Sequence, residues 1–119
     1  MARVLLGDDS SSVLDCIKDY LEIWGNYDVE IFSTGEELVA RAGNPNYDAV
    51  LSDFDYGSGR MNGLEVVATI REHNPDVPIY LVTGEPDAEK YASTQGLTGV
   101  IPKGEGLDKI LEVLSSRIK

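Results

Sequence analysis

Three carboxylates, one hydroxyl and one ammonium stand at equivalent places in this chain. Asp8 and Asp9, Asp53, Thr83 and Lys103 each follow a short apolar run. If those runs are neighbouring strands, the five groups converge. Carboxylates packed together repel, and without compensation each would hold its proton above the ordinary range. A divalent cation removes that cost, and hard oxygen donors with few protein ligands suit Mg²⁺, which keeps several of its waters. An Asp nucleophile, a Lys to pair with one phosphoryl oxygen and a Thr hydroxyl to bind another are the parts that phosphoryl transfer needs. That reaction depends on positioning and charge stabilisation more than on covalent chemistry. Taken singly, each residue has an ordinary structural use: a helix-entry acid pair, a turn Asp, a capping Thr, a solvated Lys. Complementary chemistry at four strand ends out of five favours one shared site.

The elements that must position these groups are legible as alternating patterns. Arg3–Gly7, Tyr27–Phe32, Ala49–Ser52, Ile79–Val82 and Gly99–Ile101 are short and almost continuously apolar, as expected of strands covered on both faces. Between them lie helical stripes. Val13, Leu14, Ile17, Leu21 and Trp24 form one, and Leu107, Ile110, Leu111, Leu114 and Ile118 another. Leu38, Val39 and Ala42 mark a shorter helix, and Leu64, Val67, Ala68 and Ile70 a further one. The segment Asp87–Gln95 is the weakest, with Ala88, Tyr91 and Ala92 on its apolar side. Ser10 or Ser11 can cap the first helix, and Thr34 with Glu37 has capping-box spacing. Five β-α units predict a parallel sheet with helices on both faces, because right-handed crossovers force that packing. Ligands of such sheets bind at the carboxyl ends of the strands, where the five groups stand.

Composition sets bounds. The 119 residues fit one domain, residues 1–119, with 42% hydrophobic and 26% charged residues, normal for a globular protein. No apolar run is long enough to cross a membrane. The short start before Asp8 is not a secretory signal, and a lone Cys16 cannot form an internal disulfide, so a reducing cytoplasm is expected. Cys16 reads as a small packing residue. One Cys and one His cannot build a zinc site, so a metal would be held by oxygen. A net charge of −11 argues against binding nucleic acid directly.

The ordered motifs resemble the response-regulator receiver family, the CheY-like domains of two-component signalling. Val4-Leu5-Leu6-Gly7-Asp8-Asp9 is similar to its first strand and acidic pair, and Tyr47-Asp48-Ala49-Val50-Leu51-Ser52-Asp53 to its third strand and phosphoacceptor. Gly63-Leu64-Glu65, Leu81-Val82-Thr83-Gly84 and Ile101-Pro102-Lys103-Gly104 resemble its third helix start, hydroxyl position and lysine turn. The resemblance implies an α/β, flavodoxin-like (βα)5 fold with sheet order 2-1-3-4-5. It implies phosphorylation of Asp53, Mg²⁺ held by Asp8, Asp9, Asp53 and the Asp55 main-chain carbonyl, and phosphoryl oxygens bound by Thr83 and Lys103. The donor would be a histidine kinase or phosphotransfer protein. The readout would be a downstream protein on the face of the fourth helix, fifth strand and last helix, with no membrane involved.

Three departures from the family's pattern stand out. The loop from Asp53 to Gly63 is two residues longer than usual and lacks Met-Pro, Val100 occupies a position usually held by Tyr or Phe, and Gly104 replaces the Pro after the lysine. A receiver that serves as a phosphorylation-independent scaffold is one alternative. A haloacid-dehalogenase-type phosphatase is another, since Asp53-Phe54-Asp55-Tyr56-Gly57 resembles that family's nucleophile and acid. There the acidic pair comes last in the chain and a cap domain is usual.

Overall fold

The computed structural model describes residues 1–118. Five strands, β1 (Arg3–Gly7), β2 (Asp28–Phe32), β3 (Ala49–Ser52), β4 (Ile79–Thr83) and β5 (Gly99–Pro102), pair in parallel in the order β2-β1-β3-β4-β5. That is the expected flavodoxin-like order. Among the described residues four α-helices accompany them: α1 (Ser11–Gly25), α2 (Gly35–Ala42), α3 (Gly63–His73) and α4 (Leu107–Arg117). No helix among the described residues is long and apolar enough to cross a membrane.

The apolar runs form strands because both of their faces are covered. Val4 and Leu6 of β1 point into one core with Leu14, Ile17 and Leu21 of α1 and Ile110 and Leu114 of α4. Leu5 points the other way, into a second core with Leu38 of α2 and Val66, Val67 and Ile70 of α3. Each fully buried Leu or Ile contributes about 1.5–3 kcal/mol through burial, so the pattern fixes the register of the sheet.

Several local expectations are corrected. Trp24 is 70% exposed and lies outside the buried stripe of α1, which ends at Leu21. Cys16 is exposed rather than packed. On α3 the buried face runs through Val66, Val67 and Ile70, leaving Ala68 exposed and Leu64 only half-buried. Thr34 does cap α2, accepting the Glu37 N–H at 3.1 Å, but the reciprocal capping box forms instead between Asn62 and Glu65 on α3. The segment Asp87–Gln95 makes no α-helix. Only a 3₁₀ turn forms, Ala88–Tyr91, in which Ala88 alone is buried. With so little apolar surface to cover, a full helix there has nothing to pack with.

Candidate functional site

The sheet register brings the acids to one edge. Gly7 pairs with Ser52 across β1 and β3, and the Asp53 N–H donates to the Gly7 carbonyl at 2.9 Å. On the other side of β1 the Asp8 N–H donates to the Phe32 carbonyl at 3.0 Å. The chain leaves both strands at the same level, and ligand oxygens of Asp8, Asp9 and Asp53 lie within 4.8 Å of one another. Asp8 and Asp53 are buried, at 2% and 8% exposure, while Asp9 is open to solvent. Lys103 comes from the end of β5 and reaches across to them, its Nζ 2.6 Å from Asp8 Oδ2 and 3.6 Å from Asp53 Oδ1.

Burial first, and the Asp8 charge second, raise the Asp53 carboxyl to a pKa of about 6, with Lys103 and the Phe54 N–H pulling the other way. Burial alone would lower the Lys103 ammonium, but its hydrogen bond to Asp8 and the charge of Asp53 hold it above its usual value. With all three acids ionised, one ammonium leaves the cluster two positive charges short of balance. A group of three oxygen donors with that deficit, two of them buried, fits a hard divalent cation.

Thr83 is buried at the end of β4, two residues beyond the Leu81 that pairs with Ser52, and its Oγ1 accepts the Glu85 N–H at 3.1 Å. That contact uses the oxygen and leaves the hydroxyl proton free to donate. Asp55 is exposed, and its side chain accepts the Gly57 N–H at 2.8 Å in a local turn, outside the acid cluster. Its carboxylate therefore stabilises the loop, which is a different job from the general acid of a phosphatase.

Two further supports emerge only in three dimensions. Tyr56 is buried, with its hydroxyl 2.8 Å from Ser52 Oγ, and Ser52 in turn donates to the Asp53 carbonyl at 2.9 Å. A Cβ on Gly7 would collide with that Tyr56 hydroxyl, so the β1 glycine makes room for it. Phe54 stacks on Tyr91, with ring centroids 4.5 Å apart. Both Tyr56 and Phe54 lie in an acid- and glycine-rich loop without periodicity, so their hydrophobicity alone was the available signal. The long loop is also tethered: Met61 N–H donates to the Glu36 carboxylate at 3.0 Å, which lowers the Glu36 pKa. Gly63 N–H closes the loop onto the Phe54 carbonyl at 2.7 Å.

A parallel five-stranded sheet with a buried acid cluster at its carboxyl edge is the arrangement of receiver domains. The profile of the family described as the response regulator receiver domain matches residues 4–115, and the chain belongs to that family. It is 32% identical to the transcriptional regulatory protein ComA of Bacillus subtilis, over 96% of this chain and 55% of that protein. A response regulator receiver protein of Anaeromyxobacter is 30% identical over 95% of this chain and 47% of its own length. The chain thus spans about half the length of these relatives. Among solved structures, the chemotaxis protein CheY4 of Vibrio cholerae superposes with a TM-score of 0.86 at 29% identity, covering 99% of both chains. The response regulator TrrA of Thermotoga maritima, solved in complex with Mg²⁺-BeF, gives 0.89 at 25% identity over 99% of this chain and 100% of the other. Receiver domains are signalling modules, and this chain is one of them.

Proposed function

We propose that the chain accepts a phosphoryl group on Asp53 from a histidine kinase or phosphotransfer protein and passes the signal on by protein–protein contact. The observation that carries this reading is the buried Asp8–Asp53 pair with Asp9 beside it and Lys103 bridging the two. Asp53 is ionised for the most part at neutral pH, given its pKa of about 6, so its carboxylate is available as a nucleophile. One of its oxygens attacks the phosphorus, the new P–O bond forms as the P–N bond of the phosphohistidine breaks, and the released imidazole takes a proton from solvent. Lys103 pairs with one phosphoryl oxygen and the free Thr83 proton bonds another. Asp8, Asp9, Asp53 and the Asp55 carbonyl would hold Mg²⁺. When bound, that ion neutralises charge on the phosphoryl oxygens.

Residues 1–119 act in this reading as one receiver unit in the cytoplasm, without direct nucleic-acid or membrane contact. The downstream partner meets the face built from the Ala88–Tyr91 turn, β5 and α4. Incubation with Mg²⁺ and acetyl phosphate tests the core of the proposal. The intact mass rises by one phosphoryl group in the wild type, and it does not rise in Asp53→Asn or with excess EDTA. An unchanged wild-type mass would support the scaffold alternative instead.

A further inference from the structure

The residue after the phosphoacceptor is built into two contacts at once. The Phe54 N–H donates to Asp53 Oδ1 at 2.9 Å. The Phe54 ring lies against the Tyr91 ring, centroids 4.5 Å apart and planes 22° from parallel. Because Gly63 also donates to the Phe54 carbonyl, the backbone of Phe54 is held at both its N–H and its carbonyl. Tyr91 closes the Ala88–Tyr91 turn, the one 3₁₀ turn described between β4 and β5, and Ala88 is that turn's single buried residue. Stacked rings resist relative tilting, so they transmit orientation as well as burying area. A turn with so few other anchors follows the ring it is stacked on.

We propose that the Phe54–Tyr91 stack is the link by which a change at the Asp53 carboxylate reaches the surface of the Ala88–Tyr91 turn, with Phe54 as a positioning residue for Tyr91. The inference rests on the phosphoacceptor reading of Asp53. In the ionised carboxylate both oxygens carry charge and accept strongly. In an acyl phosphate one becomes the bridging oxygen and the other an ordinary carbonyl, so the charge that held the Phe54 N–H moves out onto the phosphoryl oxygens. The peptide of Phe54 re-orients toward the new charge, its ring tilts, and Tyr91 carries the turn with it.

Amide NMR during titration with Mg²⁺ and beryllofluoride, a mimic of the bound phosphoryl group, tests this link. In the wild type, loading shifts the amides of Asp53, Phe54 and residues 88–91. Tyr91→Phe keeps the ring and gives the same pattern. Tyr91→Ala keeps the shifts at Asp53 and Phe54 and loses those of residues 88–90. Phe54→Leu, which removes the stack from the other side and keeps the backbone donor, gives the same loss. Wild-type responses at 88–90 in Tyr91→Ala and in Phe54→Leu would overturn the link and leave the phosphoacceptor reading standing. A loss in Tyr91→Phe as well would assign the effect to the hydroxyl and overturn the stack as its carrier. No shift at Asp53 in the wild type would overturn the phosphoacceptor reading itself, and this inference with it.

Discussion

Asp53 titrates near 6 in the fold, against 3.8 ordinarily, because burial and the neighbouring Asp8 both oppose its charge. The folded state therefore binds that proton more tightly than the unfolded chain does. The contribution to stability is full below the unfolded value and is lost as pH rises through about 6. Without metal, Asp53→Asn should then stabilise the protein by roughly 1–3 kcal/mol at about pH 7.5 and by almost nothing at about pH 4. Urea denaturation in EDTA at the two pH values measures the difference. Saturating Mg²⁺ should shrink it at the higher pH, since a bound cation makes the charge favourable. Lys103→Met removes the ammonium that offsets Asp8 and Asp53. Phosphoryl uptake from acetyl phosphate should slow by about 10–100-fold, with its pH profile displaced upward as Asp53 loses its countercharge. An unchanged rate and profile would show that Lys103 serves only to hold the acid cluster together.

At the scale of elements, the junction of β3 with α3 is packed backbone against backbone. A Cβ on Gly63 would stand 2.5 Å from the Asp53 carbonyl and 2.8 Å from Leu81, where neither neighbour can retreat freely. Gly63→Ala should cost about 1–3 kcal/mol and lower phosphoryl uptake by displacing the Asp53 peptide. Thermal melting and the mass assay read the two effects separately. The same scale shows what the residues disclosed. Strand cores such as Leu5 and Leu51 were legible because burial on both faces leaves an unbroken apolar run, and the strand bounds differ by one residue at most. Asp8, Asp9, Asp53 and Lys103 followed from their places at strand ends. Less was legible where tertiary contact overrides pattern. Leu64 and Ala68 carry the right spacing on α3, yet Val66 is the residue packed into the second core beside Val67 and Ile70. The weak stripe of Asp87–Gln95 yields only a turn, since Tyr91 packs on Phe54 rather than on the sheet. That pairing crosses two loops, and no local periodicity could announce it.

Across the whole molecule, acid dominates. Twenty-one carboxylates face ten Lys and Arg residues, for a net charge of −11. Part of the positive charge is already committed, with Arg41 on Glu30 and Arg3 on Asp28 at the edge strand β2. The surplus repels itself in the compact state, and salt screens it. Raising NaCl from about 10 mM to about 500 mM should therefore raise Tm by about 2–5 °C in the metal-free protein. The gain should be smaller in Asp53→Asn, where one buried charge is gone. The same field would favour a divalent cation at the open edge of the sheet, where Asp9 is exposed and Asp8 and Asp53 are not. The central claim is that the group accepted there sits on Asp53 as an acyl phosphate. Borohydride trapping after treatment with Mg²⁺ and acetyl phosphate, followed by peptide mass mapping, tests it most directly. The account predicts homoserine at position 53 and at no other acid; an unmodified Asp53, or label at another residue, would contradict it.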